Sequence, residues 1–133
     1  MISVLLKNGI KLLEEIEGSG SAARKGDRVV YSIKILLNQG DEVRLDEAIG
    51  KDLPGLMIEE NDGRICIVHS LILGKRQSIA GVENSLMGMK AGGFRKVRVS
   101  PHLAYRDQGI PGLIPENAVV VIEIWLRSVA TDS

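Results

Sequence analysis

The side chains able to do chemistry in this sequence are few and scattered. Cysteine occurs once, as Cys66, and histidine twice, as His69 and His102. A single thiol cannot close an intrachain disulfide, which fits a reducing, cytoplasmic setting. No Cys/His spacing suggests a metal site, so neither a metal nor a cofactor is expected. Nothing beside Cys66 in the sequence lowers a thiol pKa, and it reads as a core residue rather than a nucleophile. His69 stands in an apolar run, where the ordinary expectation is a half-buried strand residue. Asp46 stands among Gly, Pro and other acids and reads first as a surface turn residue. The remaining group is Tyr105, inside SPHLAYRDQGIPGLIPEN at 100–117. Structureless loops of this length are uncommon and are usually functional or disordered. Read alone, Tyr105 is as well a loop-packing tyrosine as a functional one.

The elements around these residues follow from periodicity. Ile10, Leu12 and Leu13 lead a strand into the turn cluster Glu17-Gly18-Ser19-Gly20. RVVYSIKILL at 28–37 is β-branched and aromatic, so it is a strand, and Asn38-Gln39-Gly40 turns it into DEVRL. Residues 46–63 mix acids, Gly and Pro with a short apolar patch and read as a loop with one helical turn. RICIVHSLIL is a long strand. Ile79, Val82, Leu86 and Met89 recur at helical spacing, with Ser78 as N-cap and Gly92-Gly93 as terminator. FRKVRVS and AVVVIEIWLRSV are the last two strands. In the second of these, Val120, Ile122, Ile124 and Leu126 alternate onto one face. Trp125 then lies on the other, exposed as a partner contact or covered by the N-terminal segment or by residues 46–63.

Composition sets the outer limits. A chain of 133 residues is one domain by size, residues 1–133. Equal numbers of basic and acidic residues, 17 each, give no stripe of charge for nucleic acid. The apolar run before Lys7 is too short for a signal core or a membrane span, so no membrane partner is expected. Aromatics are the unusual quantity: Tyr31, Phe94, Tyr105 and Trp125 are the full set.

Two ordered stretches carry a resemblance. NGIKLLEEIEGSGSAARKGDRVV has an opening strand and Gly-x-Gly turn before a Gly-Asp strand start. LILGKRQSIAGVENSLMGMKAGGFRKVRVSPHLAYRDQGIPGLIPENAVVVIEI holds, in order, Leu-Gly, Ile-x-Gly, Met-Lys-x-Gly-Gly, Pro-x-x-Ala-Tyr and Ile-Pro-x-Asn-Ala. Together with the weaker hairpin at Asn38-Gln39-Gly40, these resemble the FKBP family of peptidyl-prolyl isomerases over residues 7–44 and 69–129. The resemblance implies an α+β fold, an antiparallel sheet of five to six strands wrapped around one short helix. Residues 46–63 would be an insertion. It also implies rotation about X-Pro bonds as the chemistry. That rotation needs no nucleophile or metal, because the barrier of roughly 18–20 kcal/mol is amide resonance. A dry pocket disfavours the more polar planar amide and so favours the twisted one.

By the same resemblance, Ile79 matches the residue whose backbone N–H bonds the substrate carbonyl. Tyr105 matches the hydroxyl donor at the pocket rim. Val82 takes the place of a Trp floor, and Ile33, Val43, His69 and Ile122 take the place of other aromatic walls. The family's pocket acid aligns with Arg44, or with Asp46 if the hairpin is two residues longer. Aromatic side chains bury roughly 150–250 Å² each, so their loss predicts weak binding of proline-containing peptides and of macrolides. A reduced isomerase is therefore expected. The alternative is a non-catalytic module for a peptide or protein partner, or for self-association through the Trp125 face or the 46–63 segment. A metallochaperone-like relative fits poorly with two histidines and one cysteine.

Overall fold

The computed structural model describes residues 4–7, 9–38, 40, 56–61, 64–76, 78–104, 109 and 114–131. Seven strands form one sheet: β1 (Val4–Lys7), β2 (Ile10–Ile16), β3 (Arg28–Leu37), β4 (Leu56–Asn61), β5 (Arg64–Ile72), β6 (Phe94–Val99) and β7 (Val120–Ala130). Their spatial order is β1-β2-β6-β7-β3-β5-β4, and every pairing is antiparallel. The helix α1 (Ala80–Leu86) packs on one face of this sheet, and a 3-10 turn covers Pro101–Leu103.

The expected antiparallel sheet around one short helix is present. Five strands, β2, β6, β7, β3 and β5, lie inside it, and β1 and β4 add an edge on each side. β4 lies where a loop with a helical turn was expected. Its residues pair with β5 from Leu56 opposite His69 to Asn61 opposite Arg64. The reason is the apolar Leu56-Met57-Ile58 run, which is long enough to extend a sheet edge. Residues 41–55, with the rest of the 46–63 segment before β4, lie outside the described residues.

Period-two alternation builds the inner face. In β3, Val29, Tyr31, Ile33 and Ile35 are all buried. In β7 the same holds for Val120, Ile122, Ile124 and Leu126, and in β6 for Val97 and Val99. Register then stacks them in rows: Ile35 opposes Ile122, which opposes Val97 on its other side. Against these rows α1 places Val82 and Leu86, which are 1% and 0% exposed. Each such side chain contributes roughly 1.5–3 kcal/mol by leaving water.

The helix is shorter than its periodicity suggested. It begins after Ile79, which is the N-cap without a side-chain bond, so Ser78 is not the cap. It ends at Leu86, because Gly88 takes a left-handed φ of 83° and its N–H donates to the Ala23 carbonyl at 2.9 Å. Met89 still reaches the core from the following turn.

Gly81 marks where α1 comes closest to the sheet. A methyl there would meet Val99 Cγ1 at 2.6 Å and the Leu103 carbonyl oxygen at 2.9 Å. Alanine is the better helix former by about 1 kcal/mol. Overpacking costs about 1–3 kcal/mol, and a backbone oxygen cannot rotate away. Gly81→Ala is therefore expected to lower stability by about 1 kcal/mol net in urea unfolding. A stabilised variant would show that the helix can lift off the sheet.

Candidate functional site

The site is built around the start of α1. Ile79 is half-buried with extended backbone, φ −61° and ψ 150°, and its carbonyl accepts from the N–H groups of Val82 and Glu83. What fixes it is Glu83, one turn further on and 7% exposed. Its Oε1 accepts from the Gly74 N–H at 2.9 Å and its Oε2 from the Ser78 N–H at 3.4 Å. One carboxylate thus ties the loop before the helix to the helix itself. At the other end, Arg95 Nη1 donates to the carbonyls of Ser85 and Met87, both at 2.8 Å. Its Nε donates to Glu15 Oε2 at 2.7 Å. Two carbonyls at the helix end are thus satisfied by a cation, as a helix C-terminus favours.

Beside Ile79 lies an open groove of about 760 Å³. Ser78, Ile79, Ala80, Asn84 and Met87 line it from the helix side, and Leu103 and Ala104 from the loop after β6. Lys25, Gly74, Arg76, Glu83 and His102 complete it among the described residues.

The other expected site residues fall into four groups. Ile33, Val82 and Ile122 are brought together in the same hydrophobic core, at 9%, 1% and 0% exposure, with Ile79 packed against it. His69 is 1% exposed, not half-buried as expected, because it sits on the inner face of β5, with β3 pairing on one side and β4 on the other. Val43, Arg44, Asp46 and Tyr105 lie outside the described residues. Trp125 is 41% exposed on the outer face, with its ring 5.2 Å from that of Phe94.

The sequence reading missed two residues. Tyr31 is opposite His69 in register, and the rings stack at 5.3 Å with an 18° interplanar angle. Their partnership depends on the β3/β5 register, which no local pattern reveals. Glu83 did leave a signal, since it stands four residues after Ile79 and so shares the inward side of the helix.

His69 carries the strongest electrostatic perturbation of the region. Its Nε2 is buried and has no hydrogen-bond partner among the described residues. Burial lowers the imidazole from its ordinary 6.5 to about 4. Desolvation disfavours the charged ring, so the fold holds the neutral form. The unfolded chain takes up the proton at about 6.5, whereas the folded chain resists until about 4. Stability is therefore complete above pH 6.5 and declines as pH falls from there towards 4. Moving from pH 7 to pH 5 is expected to cost about 2 kcal/mol through this residue. His69→Phe keeps a ring against Tyr31 and should flatten that part of the profile. Equal slopes for both proteins in urea titrations at the two pH values would rule out His69 as the source.

Comparison with known proteins agrees with this architecture. The family model for FKBP-type peptidyl-prolyl cis-trans isomerases matches residues 68–127. The chain is 29% identical over 120 residues to FK506-binding protein 1A of Neurospora crassa, covering 90% of this chain and 87% of that protein. It is 30% identical over 126 residues to the 39 kDa FK506-binding nuclear protein of Drosophila melanogaster, where it spans only 30% of the relative's length. FkpA from Escherichia coli superposes with a TM-score of 0.63 at 28% identity, covering 92% of this chain and 47% of that one. The N-terminal domain of FKBP42 from Arabidopsis thaliana shares the fold, with a TM-score of 0.72 at 20% identity, covering 100% of this chain and 94% of that one. The family match begins on β5 and runs through α1, β6 and the following loop into β7, the stretch that carries Ile79 and its supports. The chain belongs to the FKBP-type peptidyl-prolyl cis-trans isomerase family, as a divergent member.

Proposed function

We propose that the protein is a weak peptidyl-prolyl isomerase acting on X-Pro bonds of peptides or proteins. The observation that carries this reading is Ile79: its backbone is held extended at the edge of the core by the Glu83 bonds. A donor fixed in this way can hold a substrate carbonyl at little reorganisation cost. Tyr105 is the second donor by family correspondence. The amide between them would rotate in a dry, low-dielectric setting.

Weakness follows from the lining. Ile33, Val82 and Ile122 are aliphatic and already packed into the core. They offer less contact area than aromatic walls and no ring face for a proline. The same observation favours a second reading, a non-catalytic domain that binds an extended peptide. The two differ in one measurement, turnover.

A protease-coupled assay against several X-Pro peptides is the test. Turnover is expected well below that of a relative with a full aromatic pocket. Turnover equal to such a relative would refute this account of the lining, and none at all would leave the binding-domain reading. Where activity is present, Tyr105→Phe is expected to reduce it about two- to tenfold, the value of one neutral hydrogen bond. An unchanged rate would remove Tyr105 from the site.

A further inference from the structure

We propose that the groove beside Ile79 is a subsite for acidic side chains that flank the proline of a bound peptide. The inference rests on the reading of Ile79 as the substrate-holding donor, because the groove and that donor share this residue.

The groove has an apolar wall and a cationic rim. Ile79, Met87, Leu103 and Ala104 supply the wall. Lys25 and Arg76 supply the rim, with His102 beside them, and all three are exposed. Among the described residues neither Lys25 nor Arg76 is in an ion pair. The carboxylate that lines the groove, Glu83, is 7% exposed and turned to the backbone amides of Gly74 and Ser78. Its charge is committed to the loop, and among the described residues the exposed charged groups of the rim, Lys25 and Arg76, are basic.

The two cations also stand at defined points of the backbone. The Lys25 stem lies across Gly74, with Cγ, Cε and Cδ at 2.6, 3.1 and 3.3 Å from where a side-chain carbon of residue 74 would stand. The aliphatic part is packed and the ammonium is carried on to the rim, as long basic side chains commonly do. Arg76 has a left-handed φ of 55°, uncommon for a non-glycine residue. The turn therefore sets the direction in which its side chain leaves the backbone. A groove of about 760 Å³ has room for several residues of an extended chain.

The test uses the full chain and labelled peptides containing one X-Pro bond, with Glu or Lys placed on either side of it. Each peptide is paired with a Pro→Ala version, and binding is followed by fluorescence anisotropy at low and high salt. On at least one flank the Glu peptide is expected to bind about fivefold tighter than its Lys counterpart at low salt, and less so at high salt. In the double variant Lys25→Glu, Arg76→Glu, that preference should vanish or reverse, with circular dichroism unchanged. No charge preference on either flank, or a preference that survives the double variant, overturns the proposal. The Pro→Ala peptides separate the two levels. If they bind as well as the proline peptides while the charge preference still reverses, the prolyl reading fails and the acidic subsite stands.

Discussion

A helix of seven residues is too short to persist in water by its own hydrogen bonds. The position of everything on α1 therefore depends on groups outside it. Glu83 holds the incoming loop through two backbone N–H groups, and Arg95 holds the outgoing turn through two carbonyls. Gly81 allows the helix to lie against Val99. Each of these reaches across to a different strand or loop, so the helix start is a product of tertiary structure. Charge-assisted bonds suit this task because they are strong and directional, and three of these four are at 2.8–2.9 Å.

The inner face shows what a chain does with few aromatics. β-Branched side chains on β3, β6 and β7 meet in registered rows, and Val82 and Leu86 close onto them. Such residues have restricted rotamers and pack well on a pleated surface. Good packing leaves little room for a deep, ring-lined cleft. It also leaves the His69 ring buried against Tyr31. With no partner for Nε2 among the described residues, the imidazole resists protonation there. A filled core and a perturbed histidine thus go with the same low aromatic content.

Much of this was legible in the sequence. Alternation in 120–126 marked the inner face residue by residue, because period-two patterning reports burial directly, and 28–37 was legible as a strand from its β-branched and aromatic content. The helix was visible in Ile79, Val82 and Leu86, but its end was misplaced. Met89 keeps the helical spacing although the chain has already turned at Gly88, and periodicity cannot distinguish a core contact from a turn from one within the helix. β4 was missed because the acids and glycine around 56–61 resemble a loop. Only pairing with β5 makes it a strand. The Tyr31–His69 stack was invisible for the same reason, since it depends on a register set by long-range pairing. Ordered motifs, by contrast, transferred well from Leu73 to Ile124, because they specify a sequence of turns and strand starts rather than one local pattern.

Under the proposed function, the distribution of these features shifts recognition away from the core and towards the rim. An aliphatic lining gives a proline ring modest dispersion contact and no π face. Donors at the edge then matter more, because they orient a peptide that the walls hold loosely. Exposed cations add little each, about 0.2–1 kcal/mol, and are weakened by salt. Their contribution grows only when peptide and groove engage together, so that the second contact is made at high effective concentration. Ile79 is the residue through which this would happen, since it packs on the core with one side and borders the groove with the other. A displaced helix start would loosen both contacts at once, and it is the Glu83 carboxylate, bonded to Gly74 and Ser78, that prevents that displacement.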